Sequence, residues 1–112
     1  MNFRTAATTF ALLFAAMGSA QAQSQPSVAA AWGDMKLPQA GCLERGVEVF
    51  KRLNFKRVEA ISYTVYGDFG SFQLGIRCVP EKQMYFVFGG GPGDDEKPLL
   101  AHINKVKSEL DR

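Results

Sequence analysis

The stretch VEAISYTVYGDFGSFQLGIRCV, residues 58–79, decides the fold. Apolar residues occupy every second position of its later half, which is the pattern of a strand buried on one face; they are Phe72, Leu74, Ile76 and Cys78. Glycines between Gly67 and Gly70 mark a turn ahead of this strand. The stretch therefore predicts a β-hairpin with Cys78 near its far end.

The two faces of this hairpin should differ in polarity. Whether the turn covers residues 67–68 or residues 67–70, the same residues of the two strands share a face. Ile61, Tyr63 and Val65 should therefore join the face that carries Cys78. The opposite face then holds small and polar residues, namely Ala60, Ser62, Thr64, Gln73, Gly75 and Arg77. We expect the core to lie against the apolar face.

The N-terminal residues have the features of a secretory signal. Arg4 supplies the positive charge, residues 10–17 (FALLFAAM) the apolar region, and Ala20-Gln21-Ala22 a cleavage site with small residues. We expect residues 1–22 to be a signal peptide cleaved after Ala22, and the mature protein to be periplasmic or secreted. The apolar run is shorter than the about 20 residues of a membrane-spanning helix, so no transmembrane anchor is expected.

Length and charge narrow the class of protein. The 112 residues of the chain have room for one domain. The net charge of the full chain is +2, and removal of the signal takes away one basic residue, Arg4, and no acidic one. A mature protein so close to neutral is not expected to bind nucleic acid.

Cys42 and Cys78 are the two cysteines of the chain, and no C-x-x-C motif is present. Two cysteines in a small exported protein usually form a disulfide. Closing the loop between them would contribute roughly 4 kcal/mol to the free energy of unfolding. We therefore expect a structural disulfide rather than a redox site.

Two helices should flank the hairpin. Residues 38–54 carry apolar residues three and four positions apart, at Cys42, Gly46, Val49, Phe50 and Leu53. A second helix should begin at Asp94, Asp95 or Lys97-Pro98, with the stripe Leu99, Ile103, Val106 and Leu110. Residues 23–37 have no sustained period and are expected to form a flexible arm. Trp32 in this arm either covers the edge of the core or stays exposed and anchors a partner.

The segment QMYFVF, residues 83–88, predicts a third strand, and its register stays open. Either Met84, Phe86 and Phe88 face the core, or Tyr85 and Val87 do. The other set forms an exposed apolar patch that an arm, a second copy or a ligand could cover. The expected fold is an α+β domain over residues 38–112: a helix, a three-stranded antiparallel meander and a helix, with both helices on one face.

Few residues in the sequence suggest catalysis or the binding of a ligand or metal. The run GGGPG, residues 89–93, lacks the phosphate-binding signature, and the acids at 94–96 would repel phosphate, so a turn between strand and helix is favoured. These acids have no alternating calcium-binding spacing. His102 is the only histidine and is expected to be structural. Neither a cofactor nor a metal is expected.

The sequence thus favours a non-catalytic binding or accessory protein of the bacterial envelope, in the manner of an inhibitor or immunity protein. Its contact residues would lie on the outer face of the sheet, and its partner would be another envelope protein or a second copy. The expected contact residues are Trp32, Tyr66, Arg77, Tyr85 and Val87. An alternative is a small ligand or lipid bound under a loop of Gly89, Gly90, Gly91 and Gly93. A remote alternative is a minimal hydrolase that uses His102 with Asp94 or Asp95.

Overall fold

Residues 25–112 are described by a computed structural model. The expected signal peptide, residues 1–22, lies outside the described residues. The elements in chain order are β1 (Ser27–Asp34), α1 (Gln39–Arg52), β2 (Lys56–Ile61), β3 (Thr64–Phe69), β4 (Phe72–Val79), a 3₁₀ turn (Pro80–Lys82), β5 (Met84–Gly91) and α2 (Lys97–Leu110).

The strands form one five-stranded sheet in the order β1-β5-β4-β3-β2, and all neighbouring strands are antiparallel. Both helices pack on the same face of this sheet and contact each other: α1 lies on β2, β3 and β4, and α2 lies on β1 and β5. The α+β class and the two flanking helices are confirmed. The three-stranded meander is wrong, because two further strands join the sheet.

One of the additional strands comes from a turn inside the predicted first arm of the hairpin. The chain reverses at Ser62-Tyr63, where Ser62 has a left-handed backbone with φ of 57°. Residues 56–61 and 64–69 therefore pair with each other as β2 and β3. The break separates Ile61 and Tyr63 from the core face, so their expected burial is wrong, whereas Val65 lies in the core as expected.

The other additional strand, β1, comes from the segment expected to be a flexible arm. All eight residues of Ser27–Asp34 pair with β5 without a bulge. The Ser27 hydroxyl holds the start of the strand by donating to the carbonyl oxygen of Gly93 at 2.5 Å. Ala29 and Ala31 pack against the core, while Val28 and Trp32 point to the other face. The flexible-arm expectation is therefore wrong for these residues.

The core lies between the helices and the sheet, and the predicted helix stripes are confirmed except at Leu53, which is only partly buried and packs against the core. The buried residues of the helices are Cys42, Gly46, Val49 and Phe50 in α1, and Leu99, Ile103, Val106 and Leu110 in α2. A Cβ atom at Gly46 would lie 3.1 Å from Cγ2 of Val65. Glycine at this position therefore lets α1 approach the sheet closely.

The disulfide between Cys42 and Cys78 is present, which confirms the expected pairing, with the two Cα atoms 6.1 Å apart. It joins α1 to β4, and both residues are buried. Arg45 of α1 ties the helices together at another point by donating to the carbonyl oxygens of Glu109 and Leu110 at 3.2 and 3.4 Å. A guanidinium is well placed there, because the last carbonyls of a helix have no partner within the helix.

The register of β5 places Tyr85 and Val87 on the core face. Tyr85 lies opposite Cys78 and Val87 opposite Ile76, and directly opposed residues of antiparallel strands share a face. Both side chains are fully buried. The expectation that Tyr85 and Val87 lie on the outer face and contact a partner there is therefore wrong.

Candidate interaction surface

The face of the sheet opposite the helices, called the outer face below, is not covered by any other element among residues 25–112. Strand register arranges its residues in three rows across all five strands. The rows are Trp32–Phe86–Arg77–Thr64–Ile61, Ala30–Phe88–Gly75–Tyr66–Glu59 and Val28–Gly90–Gln73–Asp68–Lys56. The outer face thus combines aromatic, aliphatic and polar side chains on one flat scaffold.

Large apolar side chains of the outer face are exposed to solvent. The exposed fractions are 67% for Val28, 58% for Trp32, 52% for Ile61, 38% for Phe86 and 36% for Phe88. Four of these residues lie on the neighbouring strands β1 and β5, whereas Ile61 on β2 is separated from them by Arg77 and Thr64. Contiguous exposed apolar surface such as that on β1 and β5 is typical of interaction sites.

The aromatic centre of the outer face is held in place by packing. The ring of Phe88 lies across Gly75 of the neighbouring strand, where a Cβ atom would be only 2.5 Å from the ring. Phe88 also contacts Tyr66 edge to face, with ring centroids 6.4 Å apart. Because these rings have restricted conformations before any partner binds, binding would cost little side-chain entropy.

Arg77 carries the positive charge in the middle of the outer face. Its guanidinium lies 5.0 Å from the ring centroid of Tyr63, in a cation–π contact. Within residues 25–112, no carboxylate lies within salt-bridge distance of Arg77. Arg77 is therefore available to a carboxylate from another molecule.

Two charged residues at the β2 end of the outer face, Arg57 and Asp68, already pair with each other. A bulge interrupts β2 between Lys56 and Glu59. Arg57 within this bulge has a left-handed backbone, with φ of 51°. Its Nε and Nη2 atoms both lie 2.6 Å from Oδ2 of Asp68. The bulge turns the guanidinium toward β3, so Arg57 and Asp68 satisfy each other at this polar end of the face.

The expected contact residues divide into two groups. Trp32, Tyr66 and Arg77 lie together on the outer face, whereas Tyr85 and Val87 lie beneath it in the core. Phe86 and Phe88 were not expected among the contact residues, although they are the central aromatic residues of the face. The signal that could have found them is the alternation in QMYFVF, which allowed either set to be exposed.

Tyr85 has a polar role at the end of the core instead. Its hydroxyl donates to Oδ1 of Asp111 at 2.5 Å, and Lys107 Nζ donates to Oδ2 of the same carboxylate at 2.5 Å. Burial, followed by the bond to Asp111, raises the pKa of Tyr85 above its usual range. Burial also opposes ionisation of Asp111, but the bonds from Lys107 and Tyr85 outweigh it and lower the pKa of Asp111.

The glycine run does not form the expected loop. Gly89, Gly90 and Gly91 are strand residues that pair with β1 and β4, and only the following Pro92 and Gly93 leave the sheet. A Cβ atom at Gly89 would lie 2.9 Å from the carbonyl oxygen of Gln73. The absence of side chains here is explained by close strand packing.

His102 lies among aromatic rings. Its ring centroid is 4.8 Å from that of Phe69 and 5.3 Å from that of Phe72. No hydrogen bond joins it to Asp94 or Asp95 in the described part of the chain. These contacts explain His102 by packing and provide no support for its use with those acids in hydrolysis.

Residues 25–112 contain no group of three or more histidine, cysteine, aspartate or glutamate side chains placed to hold a metal ion. Neither helix in this part is long and apolar enough to cross a membrane. Comparisons with protein-family models, with curated proteins and with solved structures find no match.

Proposed function

We propose that this chain is an exported, non-catalytic binding protein that acts through contact of its outer face with another envelope protein. The observation that carries this proposal is the aromatic surface around Arg77, formed by the exposed Trp32, Phe86 and Phe88 and the partly exposed Tyr66. Tryptophan, tyrosine and arginine are the residue types that dominate binding energy in protein interfaces.

The shape and size of the outer face favour a protein partner. The five strands are six to eight residues long and spaced about 4.8 Å apart, which gives a broad surface of roughly 20 Å by 25 Å. That area is more than half of the roughly 800 Å² that each partner contributes to an ordinary interface. The complementary surface would present apolar side chains to the aromatic residues and a carboxylate to Arg77.

The proposed location rests on two supports. The Cys42–Cys78 disulfide is of the kind that persists in oxidising compartments such as the periplasm or the cell exterior. The sequence pattern of residues 1–22 is that of a secretory signal. An inhibitor-like or immunity-like role toward an envelope protein is a concrete form of the proposal.

Photo-crosslinking in cells tests this proposal. The photoreactive residue p-benzoyl-phenylalanine at position 86 should form a crosslink to a partner protein. The same residue at position 48, on the exposed side of α1, should not. Arg77→Glu combined with Trp32→Ala should abolish the crosslink while the melting temperature changes little. Equal crosslinking from both positions, or a crosslink that survives the double substitution, would refute the role of the outer face.

A recess on the helix side gives a second candidate, a small ligand. It has a volume of about 360 Å³ and lies between the C-terminal end of α1, the middle of α2 and the end of β3, lined by Leu53, Asn54, Phe55, Phe69, Ala101, His102 and Lys105. This volume is at the lower limit of ligand sites. If a ligand occupies the recess, native mass spectrometry of protein purified from the periplasm should show an added mass, and Phe69→Ala should remove that mass. A measured mass equal to that of the protein alone argues against a bound ligand.

A further inference from the structure

The two edge strands of the sheet differ in how they are protected against pairing with a strand of another molecule. The β2 edge is six residues long, is interrupted by a bulge and carries Lys56, Arg57 and Glu59. The β1 edge is eight residues long, pairs with β5 without irregularity, and contains one charged residue, Asp34, at its end. Sheet edges are usually protected by charge, proline or a bulge. Apart from Asp34 at its end, the β1 edge has none of these.

The outward-pointing backbone groups of β1 can be identified from the hydrogen bonds on its inner side. The amide of Met35 donates to the carbonyl oxygen of Gln83 at 2.9 Å, which continues the register of the β1–β5 pairing. Hydrogen-bonded residues alternate along an antiparallel strand, so the odd-numbered residues of β1 bond to β5. The amides and carbonyls of Val28, Ala30 and Trp32 therefore point away from the sheet.

We propose that β1 pairs antiparallel with β1 of a second copy of this chain, so that two sheets join into one of ten strands. A two-fold axis perpendicular to the sheet at Ala30 places Val28 of each copy opposite Trp32 of the other copy, so this cross-strand pair occurs twice. This register provides about six backbone hydrogen bonds, two for each of three residue pairs. Pairs of an aromatic and a β-branched residue stabilise antiparallel strands.

Charge also agrees with this register. Asp34, the charged residue of β1, would lie opposite Pro26 of the second copy, where pairing ends because proline has no amide hydrogen. The two Asp34 side chains are then at opposite ends of the paired strands and do not repel each other strongly. A register centred on Ala31 would instead place Asp34 against Val28.

The position of α2 permits this pairing and adds contacts to it. Since α2 lies over β1 and β5, the two copies of α2 would be about 10 Å apart, given a strand spacing of about 4.8 Å, and neighbouring helices pack at 8–10 Å. Lys107 and Asp111 line a recess together with Trp32 and Gly33, which places this flank of α2 next to β1. Leu100 shares the flank by helical spacing, and 38% of its surface is exposed.

The size of the contact predicts a reversible dimer. The residues of β1 and one flank of α2 amount to about half of the 20–30 residues that each partner usually contributes. We therefore expect a dissociation constant on the order of micromolar. The proposal does not depend on the proposed function, although dimerisation would place two outer faces side by side in one continuous surface.

Sedimentation velocity over a range of concentrations tests the proposal, using the mature chain from Gln23. Unmodified protein should change from monomer to dimer as its concentration rises through the micromolar range. Ala30→Lys and Ala30→Glu should each weaken the dimer by about tenfold or more, because two like charges would then be directly opposed. A mixture of the two variants in equal amounts should restore dimers. The control Ala60→Lys, on the exposed β2 strand, should not change dimerisation.

Several results would overturn the proposal. One is a monomer at every concentration up to about a millimolar, well above the expected dissociation constant. Another is a failure of the mixed variants to reassociate although each has the melting temperature of the unmodified protein. Loss of the dimer through Ala60→Lys or Arg77→Glu, with Ala30→Lys having no effect, would place the interface elsewhere.

Discussion

Removal of the disulfide should cost this protein a large part of its stability. Cys42 and Cys78 are 36 positions apart, so their bond closes a long loop that joins α1 to β4. In the chain-entropy model, a loop of this length contributes about 4 kcal/mol by restricting the unfolded chain. A domain of this size has a free energy of unfolding of about 5–13 kcal/mol. The double variant Cys42→Ala, Cys78→Ala should therefore be only marginally stable.

Thermal unfolding followed by circular dichroism measures this effect. A loss of about 4 kcal/mol corresponds to a fall in melting temperature of about 20 °C for a domain of this size. Treatment of the unmodified protein with a reductant should lower its melting temperature by a similar amount. The same reductant should leave the double variant unchanged, which makes that variant the matched control.

Two results would refute the reasoning. If the melting temperature of the double variant falls by less than about 5 °C, the loop does not restrict the unfolded chain as the model requires. If the oxidised protein reacts with a thiol reagent at two sites before unfolding, the bond that joins α1 to β4 is not formed.

Three further predictions concern the two faces of the sheet and the contact of Tyr85 with Asp111. Tyr85→Ala should lower the free energy of unfolding by about 3–5 kcal/mol because it empties a core position. Trp32→Ala should change the free energy of unfolding by less than about 0.5 kcal/mol. Urea denaturation measures both changes, and equal effects would contradict the assignment of the two residues to opposite faces. Gly75→Ala should displace the ring of Phe88, because the added Cβ atom would lie 2.5 Å from it, and nuclear magnetic resonance of the aromatic protons should show a shift in that ring; an unchanged spectrum would be incompatible with the packing described. Asp111→Asn should lower the free energy of unfolding by about 1 kcal/mol at pH 7, a small value because the carboxylate is partly exposed. Since the folded-state pKa of Asp111 is lowered, this contribution is present above the ordinary carboxyl pKa and is lost as the pH falls through the folded-state value, so the difference should shrink as the solution becomes more acidic; a difference that stays the same down to strongly acidic pH would contradict the role of the ionised carboxylate.

Several elements could be predicted from local sequence because their side-chain spacing reports their environment. The α1 stripe from Cys42 to Phe50 and the α2 stripe from Leu99 to Leu110 are buried as their periods indicate. Asn54 has the left-handed backbone expected of a residue that ends a helix, with φ of 66°. The alternation of apolar residues in β4 is evidence of the same kind, whereas the pairing of the cysteines follows from their number and from export.

The candidate site was only partly predictable. Tyr66 and Arg77 lie on the outer face because they have the parity opposite to Cys78 in the hairpin. The sequence could not choose between Phe86 and Tyr85, since both parities of β5 are apolar. Only pairing with β4 decides this register, because Tyr85 must share the face of Cys78.

The sequence by itself therefore determined the two helices, the β3–β4 hairpin with its apolar face, and the disulfide. The helices and the hairpin depend on spacing within one segment, which is a local property, whereas the disulfide follows from the presence of two cysteines in a chain with a secretory signal. The tertiary structure alone decided that Ser27–Asp34 forms a strand, that the chain turns at Ser62-Tyr63, and which aromatic residues of β5 are exposed. These features depend on hydrogen bonds to strands distant in sequence, and a strand as rich in alanine as β1 forms because the edge of β5 is available to it.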